Sequence, residues 1–341
     1  MGASAGGVEA LTALARNLPA DLPIPILVVL HMSPTRTSRL AELLDRSGPL
    51  RAGRPESGQV PEGGRIYVAP PDRHMVLSGG RLFLLDGPRE NGVRPAVDPL
   101  FRSAAASLRD RAIGVILSGT LDDGAAGMAA IQAFGGATIV QDPGDALSDG
   151  MPRAVLDLIE PDFVLPASGI GPVIADLAAG RMAARPHGPT EGPEALIADP
   201  STLEPHVADL VCPDCGGSLA EVLAGPATRY RCRVGHVYSP ESLFGMKTAE
   251  LEAGLWAALR SLEESASISK RLAERSRRSG SAALARRFQE RQDDVAQRAD
   301  LVRQALQSLS ELAGADVGRE TAMPVAPGLD ESGRHGPGEE V

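Results

Sequence analysis

The first residues of the chain place a serine among glycines, in the run GASAGG at residues 2–7. Glycines beside a serine allow the sharp strand-to-helix turn on which a nucleophilic serine is held. Such a serine needs a histidine that accepts its proton and an aspartate that orients the histidine. The motif makes Ser4 a candidate nucleophile whose two partners must come from elsewhere in the chain.

Two polar positions that follow apolar runs could supply those partners. His31 closes the run IPILVVLHM at 24–32, and Asp122 and Asp123 follow a second run that ends near Ser118. Because open α/β sheets gather their active sites at the carboxyl ends of the strands, we expect all of these side chains at one sheet edge. Each is ordinary alone, since a histidine at a strand end is commonly structural and DDG is commonly a turn with a helix cap.

A second chemical pattern lies further along the chain. Cys212-x2-Cys215 and Cys232-x3-His236 form two close pairs with sixteen residues between them. Three thiolates and an imidazole are the ligands of a closed tetrahedral zinc site, in which no position is left for a substrate. The alternative is three buried free cysteines and an unrelated histidine. We predict a structural zinc ion, and no cofactor for catalysis.

The elements that must position the first group are strands and helices in alternation. Residues 1–180 alternate apolar runs with amphipathic stretches, which is typical of βαβ units around a parallel sheet. Predicted strands are IPILVVLHM, RIYVAP, AIGVILSG, ATIVQD and DFVLPA, and HMVLSGGRLFLLDG predicts a hairpin. Helices are predicted at 8–17, 36–46, 97–109, 124–134, 150–159 and 169–180.

The rest of the chain divides by composition. Residues 181–208 are rich in Pro, Gly and charge and predict a linker, and 209–245 contain the cysteine segment. Leucines at helical spacing predict a helical hairpin over 246–312. Residues 313–341 have little to bury, so we expect a disordered tail.

Composition excludes some functions. The 341 residues carry a formal charge of −10, which argues against a general nucleic-acid binder. No apolar run is long enough to span a bilayer, and a secretory signal pattern is absent from the N-terminal residues. We therefore expect a cytoplasmic protein that is not inserted in a membrane.

The motifs of residues 1–180 together resemble one family. GASAGGVEAL, LHMSP, IYVAPPDRHMVL, RPAVDPLFRSAA, GVILSGTLDDGAAGM and GMPRAVLDL follow one another in the order found in CheB-type protein-glutamate methylesterases. The resemblance implies a doubly wound, Rossmann-like parallel sheet. It also implies hydrolysis of glutamate γ-methyl esters on chemoreceptors with release of methanol, with glutamine deamidation as a related activity. The implied partners are a methylated receptor and a methyltransferase of the same pathway.

The same resemblance assigns roles to residues. Ser4 corresponds to the nucleophile, His31 to the base, and Asp123, rather than Asp122, to the group that orients the base. The backbone N–H of Ala5, which follows the elbow, is expected to bind the oxyanion. A second oxyanion donor, the N–H of Thr120, follows only from the family pattern.

Three other polar residues within the matching motifs have simpler interpretations. His74 is interpreted as a structural hydrogen-bonding residue, and Asp98 as the cap of the helix that follows it. Arg153 could meet substrate carboxylates or form a structural salt bridge.

The resemblance also defines two departures from the family. Family members typically carry an N-terminal receiver domain, which this sequence lacks, so gating by phosphorylation within the chain is not expected. Only three residues precede Ser4, so we expect the first strand to be missing, leaving Ser4 out of register and a gap in the core. Either the true start lies further upstream, which we favour because the active-site pattern is intact, or the chain is inactive.

Two alternatives to a methylesterase stay open at this point. One is a catalytically inactive signalling or binding module, and the other is a general serine esterase. A cysteine segment followed by helices is itself similar to extensions found on stand-alone members of the family.

Overall fold

The computed structural model describes residues 1–33, 38–185, 194–197, 206–224 and 227–320. The chain divides into two compact units, Met1–Thr248 and Ala249–Val341. The first unit contains every residue singled out above for its chemistry, together with the three sheets of the described structure and the cysteine segment.

A seven-stranded sheet forms the centre of the first unit, and all of its strand pairs are parallel. Its strands are β1 (Gly2–Ala3), β2 (Ile26–Leu30), β3 (Arg51–Gly53), β4 (Arg65–Val68), β7 (Ile113–Ile116), β8 (Ala137–Gln141) and β9 (Phe163–Leu165). Their spatial order is β3-β4-β2-β1-β7-β8-β9. The chain moves outward from β1 to one side first and later returns to its other side through β7. This confirms the predicted doubly wound sheet, with its switch point between β1 and β7.

Six helices cover the two faces of this sheet. They are α1 (Gly7–Arg16), α2 (Leu40–Ser47), α3 (Val97–Leu108), α4 (Ala125–Ala133), α5 (Gly150–Leu158) and α6 (Ala167–Ala178). One buried cluster joins α1, α2 and α6 to the sheet, and a second joins α3, α4 and α5 to its other face. Because both faces are covered, the central strands are apolar along their whole length, as the sequence predicted.

The first strand is present, so the expectation that it is missing was wrong. Gly2 pairs with Val29 of β2 and Ile116 of β7, and Ala3 pairs with Leu30. Ala3 is fully buried. Two residues are enough to set the register because the neighbouring strand on each side supplies hydrogen-bond partners.

An apolar cavity of about 340 Å³ lies beside Met1, lined by side chains of β2, β7 and the helices around them. Ile26, Leu27, Ile113 and Val115 contribute to its wall. The cavity therefore lies at the amino edge of the sheet, opposite the edge where the strands end at Ser4 and His31.

A hairpin and a short helix complete the α/β part. β5 (His74–Ser78) and β6 (Arg81–Leu85) pair antiparallel around Gly79 and Gly80, as predicted. Both glycines have positive φ, which a two-residue turn of this kind requires. Within the predicted linker 181–208, α7 (Glu194–Ile197) packs Leu196 into the second core cluster.

The cysteine segment forms a small antiparallel sheet. Its strands are β10 (His206–Val211), β11 (Ser218–Ala224), β12 (Ala227–Cys232) and β13 (Val237–Tyr238). We call residues 206–239 the ribbon. Cys212, Leu219, Cys232 and Tyr238 form its buried centre together with Leu243.

Two long helices end the described chain, α8 (Pro240–Arg278) and α9 (Ala282–Glu320). In the second unit they pack through Leu259, Ala299 and Leu306, which agrees with the predicted helical hairpin. The hairpin is longer than expected, because α9 continues to Glu320 although the tail was predicted to begin at 313. Residues 321–341 of that predicted tail lie outside the described residues. Among the described helices, none has a stretch both long and apolar enough to cross a membrane.

Candidate active site

Ser4 lies on a tight turn between β1 and α1. Its N–H donates to the carbonyl of Ser118 at the end of β7 (2.9 Å), and its own carbonyl accepts from Gly7 (2.9 Å). Gly6 has φ of +73°, and a Cβ there would lie 2.5 Å from the Ser118 hydroxyl. A glycine is therefore required at this position, both for the backbone conformation and for the close approach of the neighbouring strand.

Ser118 holds this turn in place from the neighbouring strand end, a role that no sequence pattern predicted. The side chain is fully buried, and its hydroxyl donates to the Ala5 carbonyl (2.7 Å) and accepts from the Ser148 N–H (2.9 Å). Gly119, the next residue, lies so close to Ser4 that a Cβ on it would be 2.9 Å from the serine Cβ. The end of β7 thus forms the floor beneath the serine.

The next strand end places the histidine. His31 follows β2 directly, and its N–H donates to the Ala3 carbonyl (3.0 Å), which fixes it beside the turn that carries Ser4. Its ring Nε2 lies 2.6 Å from Oδ2 of Asp123, and its side chain is 13% exposed. With Nε2 donating to the carboxylate, Nδ1 is the ring nitrogen left to take up a proton.

Asp123 is buried, and its carboxylate accepts hydrogen bonds from four donors. Its Oδ2 accepts from His31 and from the Val97 N–H (2.6 Å), and its Oδ1 accepts from Asn91 Nδ2 (2.9 Å) and the Asp98 N–H (3.3 Å). Two of these donors are the first amides of α3, so the carboxylate caps that helix from another part of the chain. Burial alone would raise the pKa of Asp123, but the hydrogen bond and charge of His31 and these amides lower it below the ordinary value. The aspartate therefore stays anionic beside the imidazole.

The neighbouring carboxylate has a different environment. Asp122 Oδ1 accepts from the hydroxyl of Ser242 (2.6 Å), and burial raises the pKa of Asp122. It faces the start of α8, whereas Asp123 faces the imidazole. The geometry thus separates the two aspartates that the sequence alone left as rivals.

Two backbone amides are available beside the serine. Among the described residues, neither the Ala5 N–H nor the Thr120 N–H is engaged in a hydrogen bond. Both residues are solvent-exposed, one directly after Ser4 and the other four residues beyond the end of β7. Free amides at this edge are what an oxyanion requires.

Of the three simpler interpretations, two agree with the structure and one was wrong. His74 is buried, accepts from the Ala96 N–H at Nδ1 (3.2 Å) and donates from Nε2 to the Pro88 carbonyl (2.9 Å). Burial lowers its pKa, which fits a neutral structural histidine. Arg153 forms an ion pair with Asp149 (2.6 Å) one turn away on the surface.

Asp98 does not cap its own helix. It lies within the first turn of α3, fully buried, and its Oδ1 accepts from the N–H of Gly127 (2.8 Å) in the first turn of α4. Its Oδ2 accepts from Asn91 (3.3 Å) and from Arg229 of the ribbon (2.6 Å). The prediction failed because the cap connects two different helices, which no local pattern reveals.

The four predicted metal ligands are brought together in the ribbon. The sulfur atoms of Cys212, Cys215 and Cys232 and Nδ1 of His236 all lie within 4.8 Å of one another. Cys215 and Cys232 sulfurs are 3.6 Å apart, and the histidine nitrogen is 3.6 and 3.5 Å from the sulfurs of Cys212 and Cys232. Bond lengths of about 2.3 Å to sulfur and 2.0 Å to nitrogen give separations of about 3.5–3.8 Å in a tetrahedron. The residues therefore fit a metal ion.

An open parallel sheet that holds a serine, a histidine–aspartate pair and two free amides at its carboxyl edge defines an α/β protein with a hydrolase-type site. Residues 1–174 match the family described as CheB methylesterase. The chain belongs to that family. The ribbon and the long helices lie beyond the matched region.

Curated relatives agree with the family match. The protein-glutamate methylesterase/protein-glutamine glutaminase of Symbiobacterium thermophilum is 41% identical over 175 residues, which are 51% of this chain and 48% of the relative. The protein-glutamate methylesterase/protein-glutamine glutaminase 2 of Caulobacter vibrioides is 42% identical over 180 residues, which are 51% of this chain and 52% of the relative. The chain thus spans about half the length of the curated relatives it matches.

A solved structure supports the fold. The crystal structure of the Thermotoga maritima CheB methylesterase catalytic domain matches with 37% identity and a TM-score of 0.50. The match covers 95% of that domain and 52% of this chain.

Proposed function

We propose that this chain is a protein-glutamate methylesterase that acts on methylated chemoreceptor-type proteins, with Ser4 as nucleophile, His31 as base and Asp123 as the orienting carboxylate. The observation that carries the proposal is the 2.6 Å contact between His31 and Asp123 at a sheet edge where Ser4 sits on a strand-to-helix turn. The family match over residues 1–174 supplies the substrate class.

The reaction follows from the chemistry of these groups. His31 Nδ1 takes the proton of the Ser4 hydroxyl as its oxygen attacks the γ-carbonyl carbon of the ester. The free amides of Ala5 and Thr120 stabilise the negative oxygen of the tetrahedral intermediate. The histidine then gives the proton to the departing methoxide, and methanol leaves an acyl-enzyme. Water attacks the acyl group in the same way and releases glutamate and free Ser4.

Two exposed leucines favour a protein substrate over a small ester. Leu147 packs against Gly6 beside the nucleophile and is 78% exposed, and Leu121, just before the two aspartates, is 46% exposed. Large apolar side chains exposed around a site are typical of surfaces that contact another protein. A cytoplasmic receptor segment would meet them there, and the same site would accept glutamine as a deamidation substrate.

The ribbon is proposed to hold a structural zinc ion on Cys212, Cys215, Cys232 and His236. Thiolate and imidazole donors in tetrahedral arrangement favour zinc. Bound there, the ion would stabilise the fold of the ribbon and take no part in ester hydrolysis. A methyltransferase remains a proposed pathway partner, and the protein is proposed to work in the cytoplasm without nucleic acid.

Methanol release from a methylated receptor preparation tests the function. Wild-type protein and a Ser47→Ala variant, which lacks an exposed helix hydroxyl, should release methanol, whereas Ser4→Ala should release none. Failure of the wild type to release methanol would indicate an inactive binding module. Hydrolysis of small esters alone would indicate a general esterase.

The choice between the two aspartates has its own test. Asp123→Asn should lower kcat by about 10⁴-fold, as loss of the orienting carboxylate does in serine hydrolases. Asp122→Asn should cost far less, because that carboxylate bonds Ser242. Equal losses in the two variants would contradict the assignment.

A further inference from the structure

The ribbon reaches into the support of the candidate active site. Val237 of β13 donates to the Arg89 carbonyl (3.2 Å), and its own carbonyl accepts from the Asn91 N–H (2.8 Å). The Ser239 N–H donates to the side-chain oxygen of Asn91 (3.0 Å). Asn91 is the residue whose amide nitrogen donates to Asp123, so the ribbon lies one residue away from the proposed triad.

The Arg229 side chain of the ribbon places a positive charge beside Asn91 and Asp98. Arg229 of β12 is 5% exposed and donates from Nη2 to Oδ2 of the fully buried Asp98 (2.6 Å). Its Nη1 lies 3.5 Å from the side-chain oxygen of Asn91. A buried arginine this close to a buried carboxylate is costly to place and costly to break.

The positive charge of Arg229 lies next to one of two neighbouring buried carboxylates, those of Asp98 and Asp123. Asp98 and Asp123 are both buried, and both accept from the same nitrogen of Asn91, at 3.3 and 2.9 Å. Two neighbouring buried carboxylates repel one another and favour the uptake of a proton unless a cation compensates. Arg229 compensates Asp98, which leaves the full charge of Asp123 for His31.

We propose that Arg229, contributed by the ribbon, is a positioning residue for the Asp123–His31 pair. The inference rests on the proposed function, because it takes that pair as part of a catalytic triad. It assigns the ribbon a part in building the active site, in addition to holding the proposed zinc ion.

The test compares arginine variants within the full chain. Arg229→Gln removes the charge and keeps a hydrogen-bond donor, and Arg229→Lys keeps the charge. Arg89→Gln is the matched control, since it breaks another ribbon ion pair, with Asp214 (3.1 Å), on a side chain that is 40% exposed. Circular dichroism and bound zinc show which variants keep the fold.

Two readouts separate positioning from mere stability. In Arg229→Gln we expect kcat for methanol release to fall about 10- to 100-fold with KM nearly unchanged, because misplacing a catalytic group affects the chemical step. The far-downfield proton resonance of the His31–Asp123 hydrogen bond should shift or vanish. Arg229→Lys should retain most of kcat and the resonance. Arg89→Gln should stay within about twofold of wild type, because the Arg89 side chain bonds Asp214 and, among the described residues, does not contact Asn91, Asp98 or Asp123.

A double variant covers the case in which Arg229→Gln does not fold. Arg229→Gln combined with Asp98→Asn has the same local net charge as the wild type and should recover the fold, the resonance and most of kcat. A folded Arg229→Gln protein with normal kcat and resonance would overturn the inference, as would a double variant no better than the single one.

The resonance does not depend on the substrate. An intact wild-type resonance that is lost in Arg229→Gln would support the positioning role even if no methanol were released. The proposed function would then be wrong and the inference about the geometry right.

Discussion

Removing the Ser118 hydroxyl, which holds the turn that carries Ser4, should weaken both the fold and the proposed activity. Ser118→Ala deletes the hydroxyl that donates to the Ala5 carbonyl at 2.7 Å and accepts from the Ser148 N–H at 2.9 Å. Each bond contributes about 1 kcal/mol net, and each buried partner left without a bond costs about 1–3 kcal/mol. Because Ser118 is fully buried, we expect a total loss of about 2–4 kcal/mol in the free energy of unfolding.

The activity should fall as well, because the Ala5 carbonyl belongs to the turn that holds Ser4. A shift of about 1 Å in a reacting group costs about 100-fold in rate, and a loosened turn should cost about 10- to 100-fold in kcat. Urea unfolding measures the stability, and methanol release from the methylated receptor measures kcat.

Ser103→Ala is the matched control. Its hydroxyl also makes two bonds, from the Leu77 N–H (3.0 Å) and to the Leu100 carbonyl (2.8 Å), but it lies on α3 and is partly exposed. It should cost about 1 kcal/mol and leave kcat unchanged. The reasoning is refuted if Ser118→Ala is destabilised no more than Ser103→Ala, or if it keeps the kcat of the wild type.

Three further predictions follow from single groups. Burial lowers the pKa of His74 below 6.5, so below that pH the unfolded chain binds a proton that the folded chain does not. The free energy of unfolding should therefore fall as the pH drops below 6.5. In urea titrations, His74→Gln should reduce the fall in this free energy between pH 7 and 5.5 by at most about 1 kcal/mol. Gly6→Ala should lower the free energy of unfolding by about 2–3 kcal/mol and abolish most activity. Gly79 is the control, because it also has a positive φ but has open space around it. Gly79→Ala should lower the free energy of unfolding by about 1–2 kcal/mol and leave the activity intact. Chelation of the metal, or the Cys212→Ser substitution, should remove bound zinc and lower kcat in parallel, because the ribbon carries Arg229. An unchanged kcat after complete loss of zinc would show that the active site does not depend on the metal.

The sequence was informative where function depends on local patterns. Ser4 could be found because glycines flank it as in a strand-to-helix turn. His31 could be found because it directly follows an apolar strand, and parallel strands end at the same edge of a sheet. The metal ligands could be found because their spacing along the chain is short. The strand β3 (Arg51–Gly53) was missed because three residues without apolar alternation carry no strand signal.

Long-range contacts were the part that could not be predicted. Arg229 and Asp98 are 131 residues apart, and neither lies in a pattern that points to the other. Ser242 reaches Asp122 over 120 residues. The short strand β1 was misjudged for a related reason: its stability comes from the neighbours on both sides and not from its own length.

The position of Arg229 late in the chain affects when the site is completed. During synthesis, Ser4, His31 and Asp123 all leave the ribosome more than 100 residues before Arg229, which pairs with Asp98. If the proposed roles are correct, a nascent or prematurely terminated chain holds these three residues without the arginine that positions them. The proposed esterase activity would then reach its full value only after the ribbon has been synthesised and folded.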